Sequence, residues 1–226
     1  MLSTLQNAGH VDFTMENIHA ILIWILKNAN TDIDEQLVIV FNSMIEKANV
    51  RNYKSNKRVL LDHEWRYNEA KPTHVCLEYR LVMERIGGIG CGTWSYDTGL
   101  EERACEFLRD ILTVAYNLGF ICDTSDWRLY RRDEWRSGQN KVFMFMKNGQ
   151  HEPLMEVKAF KNGNMHLRMS QQFMLALNVE MGRLKGWITT PAEAVEELGD
   201  LEAAQYFNSQ VRLGGSNVKM LMAVNE

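Results

Sequence analysis

The stretch Pro153–Gly186 reads P-L-M-E-V-K-A-F-K-N-G-N-M-H-L-R-M-S-Q-Q-F-M-L-A-L-N-V-E-M-G-R-L-K-G, and it specifies a hairpin followed by a helix. Taking Lys161-Asn162-Gly163 as a three-residue loop, closed by Gly163 at positive φ, sets Phe160 opposite Asn164. Counting back, Ala159 pairs with Met165, Val157 with Leu167 and Met155 with Met169, so one face is wholly apolar. The other face pairs Lys158 with His166 and Glu156 with Arg168. A two-residue Asn-Gly turn would put Lys158 against Leu167 and Glu156 against Met169, mixing the faces, so the pattern selects the longer loop. Ser170 then N-caps a helix through Lys185. Its Phe173, Met174, Leu177, Met181 and Leu184 recur at the spacing of a buried stripe, and Gly186 ends it.

Glu156 to Leu167, with Phe173-Met174-Leu175-Ala176-Leu177-Asn178 and Gly182-Arg183-Leu184-Lys185-Gly186-Trp187, closely resembles the bacterial and phage family known as domain of unknown function 4942. Asn117-Leu118-Gly119-Phe120 is similar to a second block of that family, and Asn52-Tyr53-Lys54-Ser55-Asn56-Lys57 to a third. The resemblance spans about residues 35 to 210. It implies a setting, in phages, prophages, plasmids and other mobile elements, some members lying beside DNA methyltransferase-like segments. It implies no reaction and no catalytic set.

With 226 residues, 46% of them hydrophobic and 24% charged, the chain can bury a substantial core. Its longest apolar run, Ala20–Leu26, is far too short to cross a bilayer, and the first residues lack the basic start and cleavage site of a signal peptide. A cytoplasmic protein without a membrane partner is therefore expected. Cys76, Cys91, Cys105 and Cys122 have no C-x-x-C spacing, so free thiols are expected, with neither zinc nor any other metal. A net charge of −4 offers nucleic acid no global attraction, so such binding needs a local basic patch.

From the N-terminus, Thr14 caps a helix through Asn28 with Ile18, Ile21, Leu22, Ile25 and Leu26 as its apolar stripe. Asp32 and Glu35 open a second helix with Leu37, Val40, Phe41, Met44 and Ile45 inward. The two are expected to pack as an antiparallel pair. Asn49–Asn68 interleaves Arg51, Lys54, Lys57, Arg58 and Arg66 with Tyr53, Trp65 and Tyr67. That composition suits phosphate contact with base stacking, or an edge strand whose aromatics pack on a sheet. Alternation of Val75, Leu77, Tyr79, Leu81 and Met83 predicts one strand over His74–Glu84.

Gly87-Gly88-Ile89-Gly90-Cys91-Gly92 resembles a methyltransferase loop for S-adenosylmethionine, but helical pattern resumes only near Leu100. A flexible or bulged connector is expected instead. The helix over Leu100–Leu118 buries Ala104, Phe107, Leu108, Ile111, Leu112 and Ala115, and Gly119 stops it. Trp127–Arg136, W-R-L-Y-R-R-D-E-W-R, is the densest basic-aromatic run. It reads as a phosphate-binding patch, or as a surface strand whose arginines pair with Asp126, Asp133 and Glu134. Val142–Met146 is a further strand, turned at Lys147-Asn148-Gly149 into the hairpin to make a three-stranded meander. Thr190-Pro191-Ala192-Glu193 is a capping box with proline at the first helical position. Asp200 caps another short helix, and Val218–Val224 reads as a last strand or a packed tail.

The expected class is α+β: an antiparallel β-meander sheet covered by two central helices, with an N-terminal helical pair. Residues 1–48 form the pair, 49–210 the α+β core and 211–226 the tail. Three functions compete. Nucleic-acid binding, to DNA or RNA, would use Lys158, His166 and Arg168 on the polar sheet face, with Arg128, Arg131, Arg132, Lys54 and Lys57. A nuclease of Glu-x-Lys type would use Glu156 and Lys158 with Asp126 or Glu106, and Mg²⁺ as its only cofactor. A protein-interaction module, acting on a host or defence factor, would use the acidic C-terminal helices and some of the 13 methionines. Nucleic-acid binding is the leading expectation.

Overall fold

The computed structural model describes residues 14–48, 50–54, 74–91, 97–124 and 126–208. The described residues divide into two units, 14–35 and 36–208. No described helix is long and apolar enough to cross a membrane.

Both expected N-terminal helices form, but as one element, α1 (Met15–Lys47). The turn expected between them is not seen, residues 29–31 being helical. Asn28-Ala29-Asn30-Thr31 contains no glycine or proline, and its residues each cost a helix only a few tenths of a kcal/mol relative to alanine. Asn28 Nδ2 also donates to the Trp24 carbonyl one turn back, at 2.7 Å. Within residues 14–35, Thr14 Oγ accepts the Asn17 N–H as a cap. The stripe expected to be inward is not buried: Ile18, Ile21, Leu22 and Ile25 are 37–47% exposed. Apolar residues run consecutively through Ile21–Ile25 and so ring the helix, more than one buried flank can cover.

From Leu37 onward α1 belongs to the second unit, where Leu37, Val40, Phe41 and Met44 are buried. β1 (Val50–Asn52) and β2 (Val75–Leu77) form an antiparallel pair. β3 (Arg80–Met83) joins a different sheet. The single strand expected over His74–Glu84 is thus two, parted at Glu78 and Tyr79. The alternation alone could not reveal this, since Leu77 and Leu81 face inward in both arrangements. At Leu77 the ladder is taken over by a side chain: Asn178 Oδ1 accepts the Leu77 N–H (2.8 Å) and Asn178 Nδ2 donates to the Leu77 carbonyl (2.9 Å).

β4 (Ile89–Cys91) and β5 (Asp97–Leu100) pair across a bulge, as a bulged connector requires; Gly92 lies outside the described residues. The glycines before β4 have a packing role. Gly88 lies against the hairpin tip so closely that a Cβ there would lie far inside contact distance of the Phe160 carbonyl oxygen. That oxygen accepts both Ile89 N–H (3.1 Å) and Gly163 N–H (3.2 Å), and Ile86 N–H reaches the Gly163 carbonyl.

α2 (Glu102–Asn117) buries every residue expected of it. β6 (Ile121–Cys122), β7 (Asn140–Lys147), β8 (Gln150–Ala159) and β9 (Met165–Met169) complete the five-stranded sheet, ordered β3-β9-β8-β7-β6 and antiparallel throughout. Between them, α3 (Trp127–Tyr130) and a 3₁₀ turn at Arg132–Glu134 occupy the basic-aromatic run, so the surface-strand reading is corrected there. The hairpin has the expected register, from Met155 opposite Met169 to Ala159 opposite Met165, with Gly163 at φ 81° and Phe160 N–H bonded to the Asn164 carbonyl. α4 (Gln171–Leu184) is capped by Ser170 and stopped by Gly186 at φ 67°.

α2 and α4 share one apolar core with the inward face of the sheet, including Phe143, Phe145, Val157, Met165 and Leu167. A smaller cluster, with Tyr53, Cys76, Val179, Ile188 and Ala194, seats α5 (Pro191–Leu198). The capping box is present, Thr190 Oγ accepting Glu193 N–H. Asp200 Oδ1 accepts Glu202 N–H just before α6 (Ala203–Asn208). The expected segment Val218–Val224 lies outside the described residues.

All four cysteines are free thiols. Burial pushes Cys76 and Cys105 above the usual thiol range and Cys122 up to about 11, whereas Cys91 is exposed. Since the thiolate is the nucleophile, an aromatic disulfide reagent at pH 8 is expected to titrate Cys91 in a fast phase that Cys91→Ser removes. Cys122 should gain reactivity only as pH rises towards 11 or on unfolding. A fast phase surviving Cys91→Ser would contradict this burial pattern.

Candidate functional site

The outward face of the sheet carries two cross-strand rows, set by the register. One row reads Arg80, Arg168, Glu156, Val142 across β3, β9, β8 and β7; the next reads Val82, His166, Lys158, Asn140. Side chains from both rows line an open depression of about 570 Å³. A neighbouring hollow of about 250 Å³ has Glu156 and Arg168 in common with it and adds Tyr79, Pro153, Ser170 and Gln171.

Three cations face one carboxylate here. Arg168 Nη1 lies 3.4 Å from Glu156 Oε1 in a solvent-exposed pair, of a kind contributing about 0–1 kcal/mol. Arg80 is the direct cross-strand neighbour of Arg168, a like-charge placement that costs a sheet stability. Its guanidinium lies 5.3 Å from the centre of the Tyr79 ring. Lys158 is exposed and forms no ion pair among the described residues. The exposed His166 ring is tilted against Phe160, with centroids 4.7 Å apart.

The other expected cations among the described residues are elsewhere and already engaged. Arg128 binds the Asp126 carboxylate at 2.6 Å and lies over Trp127 and Phe143. Arg131 pairs with Glu134 at 3.1 Å, and Arg132 with Glu102. Lys54 donates its backbone N–H to Glu197 Oε2 and its Nζ to the Glu196 carbonyl, fastening α5. Lys57 lies outside the described residues. Within the basic-aromatic run Trp135 is fully buried and its Nε1 donates to the Arg128 carbonyl, whereas Trp127 and Tyr130 are exposed.

The four residues of the nuclease reading are not brought together. Glu156 and Lys158 do share the outward face, but Asp126 is buried, caps α3 and holds the Arg128 that lies against Phe143, on the inward side. Glu106 sits on the solvent side of α2, away from the sheet that α2 covers. Among the described residues no group of three His, Cys, Asp or Glu side chains is placed to hold a metal.

The family model described as a domain of unknown function, DUF4942, matches residues 1–187. The chain belongs to the DUF4942 family. Its match begins earlier than the resemblance over 35–210 implied, and ends before α5. No curated protein and no solved structure matches the chain.

Most of the DUF4942-like residues have evident architectural work. Asn178 secures β2, Gly182 leaves room for Ile188, whose Cδ1 would be 2.5 Å from a Cβ, and Asn162 accepts the Asn164 N–H within the turn. Lys161 reaches Asp97 Oδ1 at 2.9 Å. The Ser137 N–H, and then Lys161, hold that carboxyl below the usual carboxylate range. Among the described residues Lys158 and His166 have no comparable part in holding the fold. Arg80, Val82 and Asn140 complete their face and escaped sequence reasoning. Arg80 and Val82 are the outward positions of an alternating strand, which was legible; that β3 lies beside β9 was not.

Proposed function

We propose that the chain binds nucleic acid through the open face of its sheet, as an accessory protein of a phage or other mobile element. One observation carries the reading: Arg80, Arg168 and Lys158 stand on three adjacent strands with Glu156 as the single carboxylate of the two rows. In a chain of net charge −4, adjacent arginines sharing one carboxylate leave a local surplus that a polyanion can use. Arginine forks match phosphate oxygens bidentately and lysine adds a point charge, the mix expected for positioning a phosphodiester backbone. The arginines of 127–136 contribute less, because Arg128, Arg131 and Arg132 each have a carboxylate of their own, whereas Arg80, Arg168 and Lys158 share one.

The test is fluorescence anisotropy with labelled DNA and RNA oligonucleotides over a salt series, Mg²⁺ present and the strands checked for cleavage. Lys158→Ala with Arg168→Ala is expected to weaken binding about tenfold or more at low salt and to flatten the salt dependence, since each lost cation releases fewer counterions. Arg131→Ala with Arg132→Ala should change affinity less than about twofold. No binding by the folded wild type at low salt would overturn the reading in favour of a protein partner. Cleavage lost on Glu156→Ala would instead favour the nuclease.

A further inference from the structure

Resting on the nucleic-acid reading above, the geometry points to a single strand as the ligand, with a phosphate over Arg80 and Arg168 and a base in the hollow on either side. The two hollows meet at Arg168 and Glu156, and Arg80 lines the larger one beside Arg168, so Arg168 lies where a backbone would pass between two bases with Arg80 next to it. Away from that pair the walls are of a different chemistry. In the larger hollow, Val82 is 43% exposed, an apolar side chain in mid-strand. Beside it stands the His166 ring, backed by Phe160. The Asn140 amide is exposed and makes no hydrogen bond among the described residues, and an amide offers a donor and an acceptor together, as a base edge does. The smaller hollow provides the Tyr79 ring with Ser170 and Gln171.

Among nucleic acids, apolar, ring and amide walls are of use only to one that presents its bases. A duplex keeps its bases stacked inside and would offer this face phosphates alone, leaving both hollows unfilled. A single strand can splay bases onto rings while cations follow its backbone, and the larger hollow is within the size range of small-ligand sites.

The experiment compares one sequence as single-stranded DNA, single-stranded RNA and duplex DNA, with heparin as a polyanion control. Both single strands are expected to bind at least about tenfold more tightly than duplex, and a preference between them reports a 2′-hydroxyl contact within the same class. His166→Ala and Asn140→Ala, both at exposed positions, should weaken single-strand binding by about tenfold and about threefold while leaving heparin binding unchanged. Duplex binding as tight as single-strand binding, with both still lost in the Lys158→Ala, Arg168→Ala protein, would overturn this inference and leave the nucleic-acid reading standing. Equal loss of heparin and single-strand binding on His166→Ala would also overturn it. Failure of every nucleic acid to bind would remove both.

Discussion

Gly88→Ala is expected to lower stability by about 3–5 kcal/mol, the sum of an overpacking strain and two weakened backbone hydrogen bonds. The added methyl would meet the Phe160 carbonyl oxygen, with the Gly163 Cα at 3.1 Å behind it, so backbone rather than a yielding side chain stands in the way. Moving the loop back stretches Ile89 N–H from the Phe160 oxygen and Glu101 N–H from the Gly88 carbonyl, detaching the hairpin tip from the start of α2. The measurement is a denaturant midpoint beside that of Gly149→Ala. Gly149 sits at φ 78° with nothing within 4 Å of its would-be Cβ, so that change should cost only the left-handed backbone term of about 1–2 kcal/mol. If these glycines served a bound cofactor instead, Gly88→Ala would leave the midpoint of the unliganded protein where it was.

The same contact explains why the glycine loop misleads on sequence alone. Gly87-Gly88-Ile89-Gly90 has the composition of a phosphate cradle, and composition cannot distinguish a backbone approached by a ligand from one approached by another loop. The partner here is Phe160–Gly163, some seventy residues on in sequence order. Hairpin register behaved differently, because a one-residue slip would have set Lys158 opposite Leu167 and Val157 opposite Arg168, a local conflict visible in the letters.

The candidate site lay between these cases. Lys158, His166 and Arg168 were legible as one polar face, since strand alternation fixes them. Arg80 reaches that face only through the pairing of β3 with β9, which no local pattern encodes, and Asn140 precedes the strand Val142–Met146 that the letters did place beside β8. The arginines of Trp127–Arg136 misled in the opposite direction. Their acidic partners Asp126 and Glu134 were visible nearby, but Glu102 lies on α2, thirty positions upstream. Nor could the periodicity of Met15–Lys47 establish a turn, for only a strong breaker makes a helix end where its apolar pattern pauses.

Asn178→Ala is expected to cost about 2–4 kcal/mol, since Leu77 would lose the partner of a buried N–H and that of a buried carbonyl together. Asn178 is 5% exposed, so water cannot easily take its place. Leucine at this position separates two explanations. It restores most of the volume but no hydrogen bond, so Asn178→Leu should be about as damaging as alanine if the amide matters, and nearly neutral if only packing does. Asn178→Asp adds a test with a sign. The ionised carboxylate can accept from Leu77 N–H but opposes the Leu77 carbonyl oxygen, so burial raises its folded pKa above the unfolded value of about 3.9. The protonated acid restores a donor, hence the aspartate protein should be closest to wild type below about pH 4 and lose ground as pH rises from there through the folded pKa. A deficit independent of pH would mean that the side chain at 178 does not face the Leu77 carbonyl. β2 would then need another anchor to α4, and with it the placement of β3, the strand that brings Arg80 beside Arg168.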